Sequence, residues 1–194
     1  HAGMAEIMTE RTPDMKKIIQ HTDFPGLDVI TANMNLLTAN LKVMLDQQRP
    51  QQTRLKKALQ QVSGEYDYCI IDTRPVFDCL TKNAIHVADI MLTPIKFDNY
   101  CRDNLALVEN FVNEYADEKM EWKIFANMVA NGKAQREAMI DLIGKHDYPI
   151  MDTCISRSAV VDNALNLYKP VLKHRKNSTV AQDYLELAKE LLEA

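Results

Sequence analysis

The most informative stretch of this sequence is Tyr66-Asp67-Tyr68-Cys69-Ile70-Ile71-Asp72-Thr73-Arg74-Pro75, in which a short apolar run ends in an acid. The run predicts a buried strand over Tyr68–Asp72, and the following Arg74-Pro75 dipeptide indicates a turn. In an open α/β sheet, ligands bind outside the carboxyl ends of the strands. A carboxylate at that place can hold the water shell of Mg²⁺ beside a nucleotide phosphate. The alternative interpretation of Asp72 is an acid that only caps the next turn.

Four further strand-like runs surround this stretch, at Leu27–Thr31, Ile90–Ile95, Lys123–Val129 and Ile150–Ile155. Three of the five runs are continuously apolar, as is typical of strands buried on both faces of a parallel sheet. Helical periodicity separates the runs: helices are predicted from Arg49-Pro50, over 105–115, near 134–143, after Ser158 and after Ser178. The alternation predicts an α/β fold, with a mostly parallel sheet of four or five strands flanked by helices on both faces.

Composition limits the class of protein. The chain has 194 residues, of which 46% are apolar and 26% are charged, a balance typical of one globular domain. The 23 Lys and Arg against 27 Asp and Glu give a net charge of −4, which excludes a wholly basic nucleic-acid coat but leaves room for a local basic patch. No apolar run approaches the roughly 20 residues that span a bilayer. The four cysteines form no C-x-x-C pair, so the sequence offers no zinc or iron–sulfur motif.

The stretch Tyr66–Leu107 resembles the ParA/MinD group of deviant-Walker P-loop ATPases. The matching residues are Asp72-Thr73, Pro75, Leu80-Thr81, Asn83-Ala84, Ala88-Asp89 and Pro94. Further matches are Phe24–Ile30, Asp152-Thr153 with Ile155 and Arg157, Lys169-Pro170-Val171, and Ser178 with Ala181, Tyr184 and Leu187-Ala188. The resemblance covers nearly the whole chain in the family's order. It is closest to the ParA-like partition proteins of plasmids and conjugative elements, and it implies a P-loop NTPase-like fold.

The resemblance also implies roles for individual residues. Asp72 takes the catalytic Walker-B place and holds Mg²⁺ through water, and the predicted nucleotide site comprises Asp72, Thr73, Pro75 and Asn127. The predicted DNA contacts are Lys133, Arg136 and Arg157, and the predicted dimer face carries Arg102 and Asp103. Each residue has a plainer interpretation. Asn127 can satisfy backbone groups in a turn, and the charged residues can be ordinary surface charges.

Two departures from the family pattern stand out. Arg74 replaces a proline in the Asp-Thr-Pro-Pro motif and adds a charge beside the expected phosphate site. The Gly-rich P-loop with its lysines is absent, because no G-x-x-x-x-G-K-[ST] occurs among the 194 residues. We therefore expect residues 1–194 to form a single ParA-like ATPase domain that lacks its first βαβ and P-loop portion, either as a fragment of a longer protein or with a partner filling the gap. Whether this chain hydrolyses ATP stays open.

The resulting functional prediction is a ParA-like partition ATPase that segregates plasmid, conjugative-element or chromosomal DNA. The resemblance implies ATP and Mg²⁺ as cofactors of the complete protein, an ATP-bound homodimer, nonspecific DNA and a ParB-like partner, in the cytoplasm at the nucleoid and not at a membrane. One alternative is a non-catalytic interaction module on the same scaffold. Another is a MinD-like membrane-cycling ATPase, which the last helix disfavours because Glu186, Glu190 and Glu193 surround a single Lys189.

Overall fold

The chain was analysed as a computed structural model, which describes residues 2–96, 99–130, 137 and 147–193, with the backbone alone at 99–103. The described residues form two compact units. The first comprises His1–Asp89 with Asn113–Lys119, and the second comprises Ile90–Val112 with Met120–Ala194. The expectation of one domain stays a prediction.

The first unit is mainly helical. Its helices are α1 (Met4–Thr9), α2 (Met15–Ile18), α3 (Asn35–Leu45), α4 (Arg54–Leu59), a 3₁₀ turn (Gln60–Val62) and α5 (Cys79–Val87). They enclose a core of buried side chains from α1, α2, α3 and α4, among them Ile7, Met8, Ile18, Val43 and Leu55. The helix predicted from Arg49-Pro50 begins four residues later, at Arg54.

A short hairpin replaces the strand predicted over Leu27–Thr31. Strand β1 (Gln20–His21) pairs antiparallel with β2 (Asp28–Val29), so the strand is shorter than predicted and does not belong to a parallel sheet. The Thr22 hydroxyl donates to the Leu27 carbonyl at 2.7 Å and closes the loop. Only a few residues separate the two strands, and a parallel connection needs a crossover of about a dozen residues or more.

The run Tyr68–Asp72 is not a strand, which corrects the central prediction from the sequence. Its backbone is irregular, and Ile70 is 95% exposed. Ile71 is half-buried against the core of the first unit. A parallel strand exists only where a neighbour accepts and donates its backbone hydrogen bonds. No strand among the described residues lies beside this run, so its apolar character alone does not make it a strand.

The described residues of the second unit form a three-stranded parallel sheet, which confirms the predicted fold class and has fewer strands than the four or five expected. Its strands β3 (Ile90–Ile95), β4 (Glu121–Val129) and β5 (Ile150–Ser156) lie in the order β3-β4-β5. Helix α6 (Asn99–Tyr115) connects β3 to β4. Beyond β5 follow α7 (Ala159–Asn166), α8 (Val171–His174) and α9 (Thr179–Leu192). The helix predicted near 134–143 lies outside the described residues.

The helix starts of the second unit agree with the sequence. The Ser158 hydroxyl accepts the Val160 N–H at the start of α7, and the Ser178 hydroxyl accepts the Ala181 N–H at the start of α9. Serine is a favoured N-cap because its oxygen satisfies one of the unpaired N–H groups of the first turn. Ile124 in β4 is completely buried, and Val180 and Leu187 of α9 pack with Met151 and Ile155 of β5.

Two carboxylates of α9 bind the backbone of β5. Glu190 accepts the N–H groups of Asp152 and Thr153, both at 2.9 Å, and Asp183 accepts the N–H of Ser156 at 2.8 Å. Burial raises the pKa of Glu190, but a hydrogen bond with the Thr153 side chain, these backbone hydrogen bonds and nearby Lys123 together hold it below its ordinary value of 4.5. The acidic face of the last helix therefore has a structural role at the sheet edge.

Candidate functional site

The segment after Ile71 carries the predicted nucleotide-site residues of the first unit. Asp72, Thr73 and Pro75 are all exposed. Within the described residues, the Asp72 carboxylate makes no hydrogen bond or ion pair. Helix α5 begins shortly afterwards, where the Asp78 carboxylate accepts the N–H groups of Leu80 and Thr81. Asp72 is therefore free to bind a ligand or its water shell, and the turn-capping role belongs to Asp78 instead.

Arg74, the departure from the family motif, is paired. Its guanidinium donates to Asp78 at 2.6 Å, four residues along the chain. About half of the Arg74 side chain is exposed, so the pair contributes little to stability. The pairing keeps the charge of Arg74 at the start of α5, where it is partly neutralised.

The fit of these residues to ATP and Mg²⁺ is incomplete. An exposed carboxylate suits a hydrated Mg²⁺ ion, which keeps several waters and takes one or two protein oxygens. Among the described residues, however, no group of three His, Cys, Asp or Glu side chains is arranged to hold a metal ion. The sequence also contains no phosphate-binding loop, whose consecutive N–H groups and lysine cradle the phosphates. Asp72 is thus exposed, and its role on the metal side of a nucleotide site stays a prediction, while the sequence contains no loop motif for the phosphate side.

Asn127 lies near the end of β4 in the second unit, as predicted. Its side-chain oxygen accepts the N–H of Met128 at 2.9 Å. Met128 has a φ of 53°, an uncommon backbone conformation for a non-glycine residue. The hydrogen bond supports this conformation, which gives Asn127 the structural role foreseen as an alternative. Its place near an adenine stays a prediction.

The predicted DNA and dimer residues are only partly described. Arg157 is exposed directly after β5, where its backbone N–H donates to the Val129 carbonyl at 2.9 Å. Lys133 and Arg136 lie outside the described residues. Arg102 and Asp103 belong to α6, but their side chains are not described. The roles of all five stay predictions.

Asn83 is a structurally important residue whose role the sequence did not reveal. Its side chain is completely buried on α5, and its carbonyl oxygen accepts the N–H groups of Arg54 and Leu55 at 2.9 and 3.2 Å. Its amide donates to the carbonyls of Gln51 and Cys79. Asn83 on α5 therefore supplies the hydrogen-bond acceptor for the N–H groups at the start of α4. The sequence showed Asn83 only as part of a motif that matches the family, without assigning it a role.

Two arginines join the start of α4 to the end of α1. Arg54 is 8% exposed and donates to the Met8 carbonyl at 2.8 Å and to the Asp46 carboxylate at 3.0 Å. Arg49 donates to the same carboxylate at 2.7 Å and to the carbonyls of Thr9 and Glu10. The hydrogen bond from Arg49 lowers the pKa of Asp46 to about 2. This cluster keeps two cations next to an ionised acid, and its role is structural.

A second polar cluster connects the hairpin to the Asp72 segment. Asp28 on β2 accepts from the Tyr66 hydroxyl at 2.7 Å and lies 2.8 Å from Nδ1 of His21 on β1. The Tyr66 hydrogen bond, followed by that of His21, lowers the pKa of Asp28, and the same carboxylate raises the pKa of Tyr66. Tyr66 stands six positions before Asp72, so the cluster fixes the beginning of the segment that presents Asp72.

The fold defines the class of this protein. A parallel sheet flanked by helices is shared with a plasmid partition protein from Borrelia burgdorferi bound to AMPPNP, at a TM-score of 0.80 and 20% identity over 98% of this chain and 74% of that one. It is also shared with the cell division ATPase MinD from Pyrococcus furiosus, at a TM-score of 0.75 and 14% identity over 99% and 76% of the two chains. The architecture is that of the P-loop NTPases.

Sequence comparison narrows the class. Residues 1–127 match the model of an AAA domain family, and the chain belongs to that family as a ParA/MinD-type P-loop ATPase. It is 29% identical to the sporulation initiation inhibitor protein Soj of Bacillus subtilis over 92% of this chain and 72% of Soj. It is 25% identical to the chromosome partitioning protein ParA of Myxococcus xanthus, over 92% of this chain and 64% of that protein. The chain therefore spans about two thirds to three quarters of the length of these relatives.

The match bears out the resemblance that was inferred from the motifs. It does not test the individual site residues. Within the described part of the chain, no helix combines the length and apolar character needed to cross a membrane.

Proposed function

We propose that this chain acts in DNA partition as a ParA-like ATPase. The main support is that the family's motifs occur in their usual order along nearly the whole chain, from Phe24–Ile30 to the last helix. The relatives of this chain, which include Soj and ParA, are consistent with the proposal. The fold shared with a plasmid partition protein is consistent with this role. The proposal includes an ATP-bound homodimer, nonspecific DNA and a ParB-like partner protein.

The nucleotide part of the proposal assigns Asp72 to the metal side of the site. Thr73 and Pro75 lie beside it in the chain, and Asn127 is assigned to the adenine side. Because no phosphate-binding loop occurs in the 194 residues, this chain alone should bind ATP weakly or not at all. Calorimetric titration with ATP and Mg²⁺ tests this, and submicromolar affinity would contradict it. In a longer form that carries the loop, Asp72→Ala should abolish Mg²⁺-dependent hydrolysis, and unchanged turnover would remove Asp72 from the site.

The DNA part of the proposal assigns Arg157, Lys133 and Arg136 to phosphate contacts. A net charge of −4 means that a single chain attracts DNA poorly, so the contacts act in pairs across a dimer. Binding should be insensitive to DNA sequence and should weaken steeply with salt. In a longer form that carries the phosphate-binding loop, filter binding at two salt concentrations should show that Arg157→Glu reduces DNA affinity while nucleotide binding is kept. If the variant bound DNA as tightly as wild type, Arg157 would be an ordinary surface charge.

A second candidate is a non-catalytic interaction module on the same scaffold. The observation that favours it is Arg74, which stands where the family motif has a proline and adds a charge beside the expected phosphate site. The two candidates differ in one result, because only the ATPase changes its DNA affinity when ATP is added to the loop-containing form. The same DNA affinity with and without ATP would favour the interaction module.

A further inference from the structure

Helix α7 ends in a turn that normally requires glycine. The N–H of Tyr168 donates to the Leu165 carbonyl at 3.0 Å, and the N–H of Lys169 donates to the Ala164 carbonyl at 2.9 Å. These two bonds form a Schellman motif, in which the residue after the C-cap adopts the left-handed conformation. Tyr168 is that residue, with a φ of 51°. Glycine is preferred there because a Cβ atom crowds the backbone at positive φ.

Within the described part of the chain, packing of the Tyr168 side chain does not offset this strain. Its side chain is 93% exposed, more than any other tyrosine among the described residues. Met128, the other described non-glycine residue with positive φ, has its N–H bonded to the neighbouring Asn127 side chain. A strained residue without compensating packing indicates that its side chain is used for something other than stability.

The surroundings of Tyr168 are basic. Residues 163–182 contain no Asp or Glu, although the whole chain has a net charge of −4. Four cations lie in this stretch, and all are exposed: Lys169, Lys173, Arg175 and Lys176. Leu167 lines the same shallow pocket as His174 and Arg175, so the basic end of α8 lies beside the end of α7. An exposed aromatic ring that is flanked by cations, in a stretch without Asp or Glu, is suited to contact a polyanion.

We propose that Tyr168 stacks on unpaired bases of a nucleic acid whose phosphates contact the flanking cations. Aromatic platforms next to cations are how proteins bind single strands without sequence preference. Arg157 precedes α7 and Tyr168 follows it, so the two lie about 15 Å apart along the helix direction, or about four to five base steps. This inference rests on the proposed DNA role of Arg157 and adds a second contact and a preference for unpaired bases.

The test compares a fluorescein-labelled single-stranded oligonucleotide with a duplex of the same sequence, by fluorescence anisotropy at low salt. Tyr168→Gly relieves the backbone strain, so its Tm should rise by about 2–4 °C. The same variant should bind the single strand about tenfold more weakly, because it loses one stacked base. Tyr168→Phe keeps the ring and should bind like wild type. Lys173→Ala should weaken binding to both oligonucleotides to the same degree.

The outcomes separate this inference from the proposed function. If Tyr168→Gly binds the single strand as tightly as wild type, the stacking role is overturned, while duplex binding that depends on Arg157 would leave the proposed function standing. If wild type binds neither oligonucleotide, the inference fails, while the proposed DNA role, which acts through an ATP-bound dimer, is tested separately by the filter-binding experiment. Binding to vesicles of anionic phospholipid, with no binding to either oligonucleotide, would overturn the assignment to nucleic acid and identify a lipid surface.

Discussion

Two apolar runs of the sequence adopt different structures in this molecule. Ile90–Ile95 is a strand of a parallel sheet, hydrogen-bonded to β4 along its whole length. Tyr68–Asp72 is irregular and leaves Ile70 almost fully exposed. The difference lies in their neighbours, since β4 pairs with the first run along its length, and no described strand does this for the second. An apolar run is thus a candidate strand, and a partner decides whether it becomes one.

The largest effect should come from a matched pair of isoleucines. Ile124 in β4 is completely buried and Ile70 is 95% exposed. Ile124→Ala should destabilise the fold by about 2–5 kcal/mol because it leaves a cavity in the core of the second unit. Ile70→Ala should change stability by less than about 0.5 kcal/mol. Urea denaturation of both variants measures this. A large loss for Ile70→Ala would mean that the Tyr68–Asp72 run is buried in solution and would remove the contrast between the two runs.

The second prediction concerns what stabilises the helices of the first unit. Asn83→Ala removes a side chain with four hydrogen bonds and leaves the N–H groups of Arg54 and Leu55 buried without a partner. We expect a loss of about 2–3 kcal/mol in the free energy of unfolding. The control is Asn163→Ala, whose side chain is exposed. Equal effects of the two substitutions in thermal denaturation would show that Asn83 does not organise the start of α4.

The third prediction tests the edge of the sheet in the second unit. The pKa of Glu190 is lowered in the folded protein, so the stabilisation it provides is present above about 4.5 and is lost as the pH falls through its folded pKa. Glu190→Gln should cost about 1 kcal/mol at neutral pH and reduce this acid-dependent loss. Glu186→Gln on the same helix is the matched control. Unfolding followed by circular dichroism from pH 7 to about pH 3 measures both, and identical pH profiles for Glu190→Gln and wild type would contradict the assignment.

The smallest effect is expected at the segment that presents Asp72. The Tyr66 hydroxyl is the main cause of the lowered pKa of Asp28. Tyr66→Phe should therefore raise the pKa of Asp28 toward its ordinary value of 3.8. Tyr68→Phe, two residues further along, should leave it unchanged. Carboxyl titration by NMR distinguishes the two, and an unchanged Asp28 in Tyr66→Phe would show that the hydrogen bond is not formed in solution.

Much of the second unit could be predicted from its sequence. The strands near Ile90–Ile95, Lys123–Val129 and Ile150–Ile155 were each located within two residues of the observed bounds. The caps Ser158 and Ser178 were also correct. These signals are local, because they depend on apolar character, a capping oxygen and the length of the connecting segment.

The first unit was harder to predict because its structure depends on distant partners. Helices α1, α2, α3 and α5 were not anticipated, and two of them are only four to six residues long. The role of Asn83 requires knowing that α4 starts beside α5, which no local pattern contains. Of the candidate site, Asp72 followed from its place after an apolar run, and the other residues could be named only by resemblance. In the described structure Asp72 is exposed and without a partner, while Asn127 accepts the N–H of the neighbouring Met128.

The carboxylates of α9 also influence which edge of the sheet can accept a further strand. Glu190 and Asp183 already occupy N–H groups on β5, so a further strand arriving there would have to displace charged acceptors. At the opposite side, β3 pairs only with β4 within the described structure. A strand added to this sheet, from the same polypeptide or from another, would therefore join more easily at β3.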